Sequence, residues 1–89
     1  MYKSKMQTLA ELGEAVANRR RALGLRQGVV AAQAGLSQEL LSRFERGRTA
    51  ELGCRKLLAV LAVLGMELQL VERGGSGLLD ELRRERGGG

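Results

Sequence analysis

The sequence predicts an all-α bundle of about four helices, followed by one C-terminal β-strand. Three observations point there. Tyr2 and Phe44 are the only aromatic residues among 89, so a core must come from Leu, Val and Ala. No Pro interrupts any helix interior. Glycines at 24, 35, 47 and 65 cut the chain into helix-length blocks, and after Gly65 the apolar period changes from helical to alternating.

Residues 1–7 are polar, carry Lys3 and Lys5, and read as a loosely ordered N-terminus. Thr8-Leu9-Ala10-Glu11 then reads as a capping box. Leu9, Leu12, Val16 and Leu23 follow at helical spacing and place the first helix at about 9–23, with Gly24 as its C-terminal stop. The second helix runs from Arg26 to Ala34, with Val30, Ala31 and Ala34 inward and Gly35 at its end. Ala31 is small enough to let a neighbouring helix approach.

Ser37 is a good N-cap for the third helix, and Glu39 suits its first turn. Leu36, Leu41 and Phe44 carry the inward face, and Gly47 closes it. A loop over 48–52 leads to a fourth helix at about 53–64, with Leu57, Leu58, Leu61 and Leu64 as its stripe. From Met66 to Glu72 the pattern alternates: Met66, Leu68 and Leu70 fall on one face, Glu67 and Gln69 on the other. The chain offers no second strand to pair with, so a twofold partner is the natural completion. One domain is therefore expected over 8–73, and 74–89 reads as a Gly-rich linker and tail whose segment 78–86 could form two helical turns.

Charge narrows the function classes. The formal net charge is +5, which suits an anionic partner. The surplus is local: residues 19–56 hold nine Lys/Arg against three Glu, a local +6, while 74–89 balances three Arg with three acids. Cys54 is the only cysteine and there is no His. An intrachain disulfide is thus ruled out, a reducing cytoplasm fits, and neither a zinc site nor a His-based triad is expected. Cys54 itself reads as a small helix-start residue. No apolar run approaches the ~20 residues of a spanning helix, so no membrane partner is expected. No nucleophile–base pair or phosphate loop is visible, which points to a binding protein without cofactor or metal rather than an enzyme.

The central stretch carries a resemblance. "RRRALGLRQ" (19–27), "AAQAGLS" (31–37) and "LSRFERG" (41–47) resemble the helix-turn-helix of the XRE (Cro/C1-type) regulators. That family has a Gln at the start of its second helix, an Ala within it, a Gly at the turn, and Glu-x-Gly ending the third. Here these are Gln27, Ala31, Gly35, Glu45 and Gly47. The resemblance implies a lambda-repressor-like bundle, double-stranded DNA as partner, and the third helix in the major groove. It assigns Gln38, Glu39, Ser42 and Arg43 to base edges. The chemistry agrees, since Arg pairs with guanine, Gln with adenine, and Glu accepts from cytosine. It assigns Gln27, Ser37, Arg46, Arg48 and Thr49 to phosphates, with Arg26 nearby. Arg20 and Glu45 match a pair that ties the first helix to the third, and we read Glu45 as an orienting partner, not a DNA contact. Arg19 and Arg21 read as a solvated face.

Three departures stand out. Arg26 occupies a position where the family carries Ser, Thr or Asn, so the second helix is less well capped. Val29 and Leu40 are apolar where polar residues are usual. The loop after the third helix lacks a Pro.

The segment "VLAVLGMELQL" (60–70) is similar to the end of HipB-type antitoxins. That resemblance implies a homodimer seamed by Met66, Leu68 and Leu70, binding to a palindromic operator, autorepression, and a HipA-type Ser/Thr kinase toxin as partner in a bacterial nucleoid setting. A stand-alone XRE repressor is the alternative within the same class. A protein-binding helical module is the alternative outside it, and the basic surplus across the second and third helices argues against that one.

Overall fold

The computed structural model describes residues 8–72. They form four helices: α1 (Leu9–Ala22), α2 (Gln27–Ala34), α3 (Gln38–Glu45) and α4 (Cys54–Val63). Helix α1 packs on α3, and α2 packs on both α3 and α4. The expectations for residues 1–7 and for the tail from 73 onward lie outside the described residues.

Each helix begins and ends for a local reason. Thr8 caps α1: its Oγ1 accepts from the Glu11 amide at 3.1 Å and donates to Glu11 Oε1 at 3.0 Å. Ser37 caps α3 by accepting from the Leu40 amide at 3.1 Å. Helix α2 starts at Arg26 with no side-chain cap, as the departure there foretells. All four helices close the same way, with Gly24, Gly35, Gly47 or Gly65 at positive φ. Around α4, for example, the Gly65 amide donates to the Ala62 carbonyl at 3.1 Å and the Met66 amide to the Leu61 carbonyl at 2.8 Å. That pair of bonds is the Schellman motif, which needs a left-handed residue at the glycine position.

The core holds Val16, Val30, Ala31, Leu36, Leu41, Phe44, Leu57, Val60, Leu61 and Leu64. Phe44 is fully buried at its centre. Two expected core positions fail. Leu23 is 42% exposed and Leu58 46% exposed. The α4 face that turns inward is 57, 60, 61 and 64, so Leu58 lies a third of a turn outside it and Val60 takes the buried place.

One close approach fixes the angle between α1 and α3. Gly13 is buried in the middle of α1. A Cβ at that position would overlap the Phe44 carbonyl oxygen. The two backbones can meet this closely only because position 13 has no side chain.

The alternating segment, expected to pair with a second copy, has no ladder partner among the described residues. Among the described residues there is no strand, and Met66–Glu72 runs on from α4 without ladder bonds. A strand exists only through a neighbour's hydrogen bonds, and the described residues of the single chain supply none. Met66 also has a different place from the one expected at a seam: it follows the Schellman glycine and packs against its own core. Leu68 is 42% exposed and Leu70 is 99% exposed.

Candidate nucleic-acid interface

Helix α3 is sharply two-faced. Leu41, Phe44 and Glu45 are buried, and Leu40 packs partly against the core. Leu40 is thus a packing residue, which explains an apolar side chain at a position where polar ones are usual. The opposite side carries Gln38, Glu39, Arg43 and Arg46, all exposed, with Ser42 half-buried between them. Positions 38, 39, 42, 43 and 46 follow one another along a single helical stripe. The four residues expected at base edges therefore share one face.

A buried polar cluster holds this face in place. Arg20 on α1 makes a two-pronged contact to Glu45 on α3, with Nε to Oε2 at 2.7 Å and Nη2 to Oε1 at 2.9 Å. The Glu45 side chain is 2% exposed and that of Arg20 11%. The remaining Arg20 nitrogen, Nη1, donates to the Leu25 carbonyl at 2.9 Å in the α1–α2 turn. Gln27 completes the cluster: its Nε2 donates to Glu45 Oε1 at 2.9 Å. One carboxylate is therefore shared by three helices. The hydrogen bond that Arg20 donates to Glu45 raises the Arg20 pKa above its ordinary value, against the opposing effect of burial.

Gln27 thereby has a structural partner as well. It is expected at a phosphate, and one of its two side-chain N–H donors is committed to Glu45. Its place at the first turn of α2 still leaves the helix N-terminus open beside it. Arg26, Gln27 and Gln38 line one shallow cleft between the starts of α2 and α3, with Arg20, Gly28 and Val29 completing the wall. The Gln38 carboxamide lies over Gly28.

The other expected phosphate positions are more scattered. Ser37 is exposed at the start of α3 while its hydroxyl caps that helix. Arg46 is exposed and its Nε donates back to the Ser42 carbonyl at 3.3 Å. Thr49 turns its hydroxyl to the Glu51 carbonyl at 3.3 Å, so its donor serves the loop. Arg48 is exposed. Glu39 and Arg43 sit one turn apart with a loose contact of 3.9 Å. A pair this exposed is worth well under ~1 kcal/mol, so either side chain is cheaply released to another partner.

Sequence reasoning missed two contributors. Arg19, expected on a solvated face, donates from Nε to the Leu64 carbonyl at 3.0 Å and so closes the end of α4. Gly13 sets the α1–α3 approach. A signal for Gly13 existed: a glycine in mid-helix costs ~0.5–1 kcal/mol relative to Ala, so its presence there asks for a packing reason.

Among the described residues no group of His, Cys, Asp and Glu is arranged to hold a metal ion. None of their helices is long and apolar enough to cross a membrane. A comparison with curated proteins finds no match to the chain. A family model described as "Helix-turn-helix domain" matches residues 2–72, which takes in every element described above. With α2 and α3 as its helix pair, the chain belongs to the helix-turn-helix domain family, a family of DNA-binding regulators.

Proposed function

We propose that the protein is a sequence-specific transcriptional repressor that binds a palindromic operator as a homodimer. The observation that carries this reading is the stripe of exposed Gln38, Glu39 and Arg43 with half-buried Ser42, on a helix whose opposite face is clamped through Glu45 by Arg20 and Gln27. Base recognition needs side chains held on a rigid element at groove-compatible spacing. The local charge of the region supports an anionic partner. The work is binding, not catalysis, and needs no cofactor.

In the dimer, Leu68 and Leu70 meet their counterparts across a two-stranded ladder between the two copies. Their exposure in the single chain supports this, because a long apolar edge in water invites pairing. Two recognition helices roughly 34 Å apart would then read the two half-sites. The finer reading is an antitoxin of the HipB type, autorepressing its own promoter and neutralising a HipA-type kinase, and it rests on the resemblance of residues 60–70.

Gel shifts test the core of the reading. Arg43→Ala and Gln38→Ala should each cost about 1–3 kcal/mol on the selected operator and less on random DNA. Equal losses on both DNAs would remove the base-reading assignment. Co-purification with the product of an adjacent kinase reading frame would support the antitoxin role, and its failure would leave a stand-alone repressor.

A further inference from the structure

Glycine is the poorest helix former after proline, yet Gly28 is the second residue of α2. Its φ is not positive, so the backbone there is open to any residue. The turn geometry that justifies the four helix-ending glycines is therefore no reason for a glycine here. The reason lies across the cleft. A Cβ at position 28 would come within 3.2 Å of the Gln38 carboxamide oxygen and 3.8 Å of its carbon. Among the described residues, and apart from the two chain neighbours and the helix's own backbone, no other atom lies within 4 Å of that point. Gly28 thus leaves room for one thing only, the head of Gln38.

We propose that Gly28 is a specificity-determining positioning residue, which seats the Gln38 carboxamide against the start of α2 and so sets its presentation to a base edge. This rests on the reading of Gln38 as a base contact. Gln38 is exposed at the first position of α3 and has several rotatable bonds. Left free in solvent, its head would sample many positions, and each would have to be given up on binding. Seated on Gly28, it is already restricted before DNA arrives. Paired hydrogen bonds to adenine need both donor and acceptor near 2.7–3.2 Å. A shift of a few tenths of an ångström, as a methyl at 28 would impose, spoils one or both.

The proposal separates stability from recognition. The Gln38 head is the free end of a flexible side chain, so it yields to a methyl without disturbing the core. Ala is also the better helix former. Gly28→Ala should therefore fold as well as the native protein or better, while binding its operator less well.

The experiment is a double-mutant cycle with the full chain, using DNA selected from a random pool by the native protein. Native, Gly28→Ala, Gln38→Ala and the double variant are compared by melting temperature and by titration on the selected and a scrambled duplex. Gly28→Ala is expected to keep or raise the melting temperature, lose roughly threefold to tenfold affinity for the selected duplex, and bind the scrambled one unchanged. In the Gln38→Ala background the same substitution should cost nothing. A Gly28→Ala protein with undiminished affinity overturns the proposal, as does an equal loss in both backgrounds, which would mean that Gly28 acts on its own. If Gln38→Ala alone leaves affinity for the selected duplex intact, the base contact itself is wrong and the inference falls with it.

Discussion

Glu45 is the residue on which the α3 orientation turns. It accepts from Arg20 twice and from Gln27 once while almost wholly buried. Burying a charge is costly unless it is paired and bonded, and removing one partner costs more than the pair contributes. Arg20→Ala is expected to destabilise the fold by about 3–5 kcal/mol, measured by chemical denaturation, because the carboxylate would keep only Gln27. Gln27→Ala is expected to cost less, about 1–3 kcal/mol, because the arginine remains. The pH dependence has a definite sign. The Arg20 pKa is raised in the folded state, so its contribution is fully present below its unfolded value and is lost only as pH rises through the folded one. Since both lie far into the alkaline range, the arginine side of the pair should not titrate between pH 5 and 9. The Arg20–Glu45 pairing is legible in the sequence through the resemblance. The third member is not, because nothing in the spacing of 20, 27 and 45 says which atom Gln27 donates from or to.

At the scale of the helix, ends and contacts differ in how plainly they are written. All four terminating glycines and the Thr8 and Ser37 caps are readable, because each depends on a residue and its next few neighbours. Burial is less readable. Leu58 and Val60 are both apolar, and only the packing of α2 on α4 decides that Val60 goes in and Leu58 stays out. The alternation after Gly65 describes a surface pattern, and a pattern cannot say whether a neighbour is present to turn it into a strand. Two substitutions probe the elements directly. Ser37→Ala should cost about 1 kcal/mol by removing the α3 cap. Gly13→Ala should cost about 1–3 kcal/mol or more, because the added methyl meets the Phe44 carbonyl and not a movable side chain. Thermal denaturation of the two variants distinguishes a frayed helix end from a spread helix pair: in the second case operator binding should fall along with stability.

For the whole molecule the predictions concern assembly and charge. Leu68→Pro should yield monomers in sedimentation experiments, since a proline removes a ladder donor. If dimers persist, the seam lies elsewhere on the molecule. Affinity for DNA should fall steeply with salt. Arg48→Ala should reduce the slope of log K against log salt by about one, and do so on operator and random duplex alike, as a phosphate contact would. Arg43→Ala should instead act mainly on the operator. That 38, 39, 42 and 43 share one face of α3 was readable from helical spacing. On the phosphate side, Gln27 places one side-chain N–H and Thr49 its hydroxyl inside the protein, bonds that no sequence spacing announces.

Arg19 and Arg20 are neighbours on α1, yet they hold on to opposite parts of the molecule. Arg19 grips the end of α4, where the C-terminal segment departs, and Arg20 grips α3. In a dimer joined through that departing segment, these two adjacent side chains act as a calliper: one jaw on the joint, the other on the reading head. In the proposed dimer the distance between half-sites would then depend in part on two consecutive side chains that lie outside the exposed face of α3. A change at Arg19 would alter which operator spacings are tolerated, while leaving the preferred bases as they were.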